Sequence, residues 1–199
     1  STILDKGFNA LMDRGPSGIF DLHRMYSLLG RVHVNAHPRL QATFSAYVQT
    51  AGKAVVCDPA KDKEMVEQLL LFKDKVDAVV ADAFGGGKQF VEAREHALED
   101  VINSRPSRPS EMLARHADRH LRSGAKVGSE EAVERVLDSI MTLFSFINGK
   151  DVFEAFYNKF LAKRLLLQKS MSSDLERRMI SKLKAECGSV FTNKMEGMF

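Results

Sequence analysis

Apolar positions recur along this chain at alternating steps of three and four, the spacing that lays side chains along one stripe of a helix. Over residues 61–84, Met65, Leu69, Phe72, Val76 and Val79 form such a stripe. Lys63, Glu67, Lys73, Lys75 and Asp77 fall between them and call for water. Pro59 stands just ahead, where its missing N–H costs little, and the glycines at 85–87 lose too much backbone entropy to continue the helix. The same reading applies further on. Ser129 offers a cap and Glu130 and Glu131 an acidic first turn. They precede a face of Val133, Val136, Leu137, Ile140, Leu143, Phe144 and Ile147. Asn148 and Gly149 end that helix. Asp151 caps the next, whose predicted apolar face is Val152, Phe153, Phe156, Phe160 and Leu161. Ser172, Ser173 and Asp174 open another, which carries Leu175, Met179, Ile180, Leu183 and Cys187 and stops at Gly188. No alternating run bounded by hairpin turns is present, so the fold class is all-α. The pattern predicts about ten helices, near 2–12, 17–31, 38–55, 61–84, 88–103, 109–123, 129–147, 151–167, 173–187 and from 190 onward. The chain begins inside one such pattern and ends inside another, at 196–199, which marks it as an internal piece of a longer protein.

The strongest break is the stretch 103–110, where Pro106 and Pro109 interrupt the helical pattern and stiffen the connection. The charge balance changes there as well. Residues 1–104 carry 12 Lys and Arg against 14 Asp and Glu; residues 105–199 carry 17 against 12. The chain therefore divides into domains 1–104 and 105–199, the second mildly basic and suited to acidic partners. Two cysteines, Cys57 and Cys187, make neither a disulfide framework nor a zinc module, and point to a reducing compartment. No apolar run reaches the length that spans a bilayer.

Little in the sequence offers chemistry. His116 and His120 stand four apart on a predicted helix, as zinc ligands would, but no third ligand is evident and Ala117 occupies the place of a metalloprotease glutamate. Two surface histidines on a basic helix are the simpler reading. The run Gly85-Gly86-Gly87-Lys88 lacks the glycine spacing, the Lys-Ser/Thr end and the preceding strand of a phosphate loop, and reads as a turn. Cys187 falls on an apolar face as a small buried hydrophobe. No cofactor or metal site is predicted. What remains is positive charge. Lys159, Lys163 and Arg164 cluster on the predicted exposed side of one helix, with Arg122 and Lys126 nearby in the pattern and Lys150 and Lys169 flanking. These five residues, Arg122, Lys126, Lys159, Lys163 and Arg164, are the candidate partner-docking face. A basic helical nucleic-acid-binding module is the alternative, although the aromatics fall on the buried stripe rather than among the cations.

The most distinctive segments are DVFEAFY at 151–157, FLAKRLL at 160–166, MISKLKAECG at 179–188 and KMEGMF at 194–199. Together they resemble the cullin family. FKDKVD at 72–77 and INSRPSRPSE at 102–111 are most similar to its type-four class. The resemblance implies an elongated, non-catalytic scaffold of a multi-subunit ubiquitin ligase. In that family a row of helical cullin repeats carries a substrate-receptor adaptor at its far end, a damaged-DNA-binding-type propeller protein in the type-four class. The C-terminal half opens with a four-helix bundle and goes on to hold a RING-box protein. Residues 1–104 would then be the last cullin repeat and 105–199 the start of the bundle. The adaptor and RING-box contacts would lie mainly outside this chain. Cullin regulators and ubiquitin-conjugating enzymes become the expected partners of the basic face. Nucleic acid enters only indirectly, no membrane contact is implied, and the expected location is nucleus and cytoplasm.

Overall fold

The computed structural model describes residues 3–32, 36–123 and 129–199. Among them are ten α-helices and no strand; the single β-type contact is an isolated antiparallel bridge between Arg122 and Ser170. No helix among the described residues is long and apolar enough to cross a membrane. The chain forms two compact units, one of Ser1–Lys61 with Glu67–Ser104, the other of Asp62–Val66 with Arg105–Phe199.

The first unit holds α1 (Ile3–Met12), α2 (Pro16–Val32), α3 (Ala36–Val56), most of α4 (Met65–Ala78) and α5 (Lys88–Ile102). α3 and α5 lie closest, and Gly52 is what permits it. A methyl group there would come within 2.7 Å of Val101 Cγ1, well inside van der Waals contact. The core is aromatic: Phe84 stacks on Phe90 at 4.1 Å between ring centroids, Phe44 meets Phe84 edge-on at 5.5 Å, and Tyr26 closes on both. The helix predicted over 61–84 is not continuous. A 3-10 turn at Pro59–Lys61 precedes it, regular winding starts at Met65, and Val79–Ala83 form a π-helical turn closed by the Phe84 N–H donating to the Val79 carbonyl. Val79, Val80, Ala83 and Phe84 are all buried from this turn. Gly85 and Gly86, both with positive φ, then reverse the chain.

The second unit holds α6 (Arg108–Leu121), α7 (Glu130–Phe144), α8 (Lys150–Leu166), α9 (Ser173–Cys187) and α10 (Ser189–Glu196). Pro109 lies within the first turn of α6, where its missing donor is harmless. Ahead of it, Asp62 accepts hydrogen bonds from Arg105 Nη1 and Arg108 Nε, both at 2.7 Å, and Arg108 reaches on to Glu111 at 2.8 Å. These partners hold the Asp62 carboxyl below its ordinary pKa: the Arg105 hydrogen bond leads, burial opposes it, and Arg108 adds to the lowering. Ser129 and Ser172 cap as their positions predict, their hydroxyl oxygens accepting from Ala132 N–H at 3.3 Å and Asp174 N–H at 3.2 Å. α7 stops at Phe144, earlier than the stripe implies, and Ile147 is buried from the following turn instead. α9 ends at Gly188, with φ of 85°.

Candidate functional site

α8 carries three of the five candidate cations, and the structure divides them. Its buried line is Phe153, Tyr157, Leu161 and Arg164, at steps of four, four and three. Lys159 and Lys163 fall on the opposite side and are exposed. No ion pair among the described residues involves either of them. Arg122 follows the last turn of α6, partly exposed, with its guanidinium 2.6 Å from Asp118. Lys126 lies outside the described residues.

Arg164 does not belong to the exposed face. Only 1% of it is accessible. Its register follows from the helix: position 164 continues the buried line, and a charged residue placed there must find charged partners or leave the core. It finds two. Arg164 Nε and Nη2 donate to the two carboxylate oxygens of Glu176 at 2.7 and 2.8 Å, a bidentate fork, and Nη1 donates to Asp118 Oδ1 at 2.7 Å. Glu176 is fully buried beside Leu175 on α9, and also accepts from Ser170 Oγ at 2.7 Å. Asp118 is shared, since its other oxygen takes Arg122. The Arg164 guanidinium lies 5.6 Å from the centroid of the Tyr157 ring. Burial weighs most on Arg164 and opposes its charge, but the Glu176 and Asp118 carboxylates outweigh it and hold the pKa above the ordinary value. For the Tyr157 phenol, burial pushes the pKa up.

Backbone bonds tighten the same corner. The Ser123 N–H donates to the Lys169 carbonyl at 2.7 Å, the Met171 N–H to the Leu121 carbonyl at 2.8 Å, and the Lys169 N–H to the Arg164 carbonyl at 2.8 Å. The end of α6 and the turn between α8 and α9 are therefore stitched together above a buried cation. Sequence reasoning missed this cluster because it treats charge as a surface property. The available signal was positional: Arg164 and Glu176 both stand in register with apolar stripes.

The other candidates resolve in turn. The basic residues of α9 are largely neutralised within the unit: Arg178 pairs with Glu134, Lys182 with Asp138 at 2.6 Å, and Lys184 with Glu196 at 2.9 Å. With Arg164 buried as well, nucleic-acid binding finds no support in the charge distribution. Among the described residues no group of three or more His, Cys, Asp and Glu could hold a metal ion. Cys187 is half-buried rather than buried, and burial pushes its thiol up.

The reading of His116 and His120 as two surface histidines needs correction, because His116 is only 4% exposed. Its ring centroid is 4.6 Å from that of His120. Burial first, then the neighbouring charges of His120 and Arg119, lower its pKa from 6.5 to about 4. The unfolded chain therefore binds a proton between those two values that the folded chain refuses. The stability tied to His116 is intact above pH 6.5 and is lost as pH falls toward 4. Moving from pH 7.5 to pH 5 should cost on the order of 2 kcal/mol in chemical denaturation, and His116→Gln should reduce that drop. An identical pH dependence in parent and variant would contradict the assignment.

The family model described as the Cullin alpha solenoid domain matches residues 1–199. Cullin-4A of Mus musculus and Cullin-4A of Homo sapiens are each 50% identical over 199 residues, which is all of this chain and 26% of theirs. Cullin-4 of Dictyostelium discoideum is 40% identical over 197 residues, 99% of this chain and 24% of that protein. The chain thus spans about a quarter of the length of the curated relatives it matches. Helical architecture without strands among the described residues and a family match along the whole length agree: the chain belongs to the cullin family.

Proposed function

We propose that the chain is a rigid, non-catalytic internal segment of a cullin-RING ubiquitin-ligase scaffold of the type-four kind. Residues 1–104 are the last cullin repeat and 105–199 the start of the C-terminal bundle. The segment links an end that holds a damaged-DNA-binding-type adaptor to an end that holds a RING-box protein. The observation that carries this reading is the family match over all 199 residues. Packed aromatic cores in both units support it, since bending them would have to break buried contacts. The scaffold works in nucleus and cytoplasm. Lys159 and Lys163, with Arg122 and Lys126, form a docking face for acidic segments of ubiquitin-conjugating enzymes and cullin regulators; Arg164 is withdrawn from it.

A flexible Gly-Ser stretch inserted after Ser104 in the full-length protein tests the scaffold reading. Ubiquitin transfer to receptor-bound substrate should fall at least about tenfold, because reacting partners are no longer held in place. Substrate-free discharge of the charged conjugating enzyme, a reaction of the RING end alone, should not change. Undiminished transfer to substrate would overturn the proposal.

A further inference from the structure

Arg164 is adjacent in sequence to Lys163, yet it cannot touch a partner, because it is closed off inside the second unit. Its bonds nonetheless lead to the half-exposed Arg122 and to the backbone of Lys169. Through Asp118 it is linked to Arg122, whose guanidinium bonds the other oxygen of the same carboxylate. Through Glu176 it is linked to Ser170, and Ser170 is bridged to Arg122. Its own carbonyl accepts from Lys169 N–H, in the turn that leaves α8. That turn includes Gln168 at φ of 50°, a left-handed conformation that a non-glycine residue keeps only when neighbours hold it.

We propose that Arg164 is a positioning residue: its buried guanidinium clamps the turn after α8 to the end of α6, and so sets Arg122, Lys163 and Lys169 in one arrangement for an acidic peptide. This rests on the docking-face reading above. Fixing the backbone beneath the exposed Lys163 and Lys169, with Arg122 already held by Asp118, means that less conformational freedom is lost when the peptide binds. The clamp also explains why a cation belongs in a core that could have been filled with leucine. A buried ion cluster is a poor source of net stability, whereas its directional bonds specify one register of the elements it joins.

The experiment uses the full-length protein and a short fluorescein-labelled polyglutamate peptide. One variant is Lys163→Glu. The other combines Arg164→Met, Asp118→Asn and Glu176→Gln, which removes the guanidinium together with both carboxylates and leaves no unpaired charge in the core. That triple variant loses one positive and two negative charges and releases Arg122 from its carboxylate. Simple electrostatics therefore predicts tighter peptide binding. Positioning predicts the opposite: binding weaker by about fivefold or more, with faster amide hydrogen exchange at Ser123 and Met171 and unchanged exchange at Leu137 in α7. Triple-variant binding equal to or tighter than the parent's, or Ser123 and Met171 amides as protected as before, overturns the role of Arg164. Lys163→Glu separates the two readings. If it leaves the affinity unchanged, the docking face itself is wrong; if it weakens binding while the triple variant binds like the parent, only the positioning role is.

Discussion

Arg164→Met alone should destabilise residues 105–199 by about 3–5 kcal/mol. The methionine fills most of the volume, so lost packing is a minor part of this. The major part is electrostatic. Glu176 loses both bonds of its fork and Asp118 loses one, and the fully buried Glu176 keeps only the Ser170 hydroxyl. A carboxylate stranded in a low-dielectric interior carries its whole desolvation penalty. Native-state hydrogen exchange reads the effect. The slowest amides of α8 and α9 should lose more than about a hundredfold in protection, the equivalent of that free energy. Arg164→Lys should recover only part, since a single ammonium cannot reproduce a planar fork and a third bond at once. Adding Asp118→Asn and Glu176→Gln to Arg164→Met should restore most of the loss by removing the stranded charges. An Arg164→Met variant within about 1 kcal/mol of the parent would show that the three side chains are not coupled in solution as the distances require.

The residues that were legible in the sequence are those whose local chemistry and tertiary role agree. Ser129 and Ser172 were recognisable as caps because a hydroxyl ahead of an apolar stripe has one good use. Gly188 was recognisable as a stop, and it adopts the positive φ a stop needs. The stripe of Leu69, Val76 and Val79 is buried as its spacing requires. The failures have a common physical cause: a role set by a neighbour far away in sequence. The π turn at Val79–Ala83 runs into Phe84, which packs on Phe44 far away in sequence, and periodicity read within one helix does not see that contact. At the docking face, Lys159 and Lys163 could be placed outward from hydropathy alone, whereas Arg164, one position from Lys163, turns inward because α9 offers Glu176. His116 was misjudged for the same reason. A polar residue on a polar-looking helix is exposed by default, and only packing of further helices against α6 reverses that.

The aromatics of α8 bring the same lesson to a second large effect. Phe153, Phe156 and Phe160 belong to one predicted apolar face in the sequence, but the structure makes them unequal. Phe153 is fully buried, its ring 4.8 Å from Phe144 in an edge-on contact and stacked on Tyr157 at 5.6 Å. Phe156 and Phe160 are only half-buried, and the Arg115 guanidinium covers Phe160 from the α6 side at 5.6 Å. The buried line of the helix runs instead through Phe153, Tyr157, Leu161 and Arg164, rotated by roughly 60° from the line of Phe153, Phe156 and Phe160 with Phe153 common to both. Phe153→Ala should therefore cost about 3–5 kcal/mol, the transfer free energy of a phenyl ring plus the cavity left between α7 and α8. Phe160→Ala should cost about 1–2 kcal/mol, since solvent already reaches the ring and fills the space. Denaturation of each variant, followed through exchange of the α8 amides, checks the difference. Equal losses at the two positions would mean that α8 presents the face its hydropathy suggests, and would take the buried Arg164 clasp down with it.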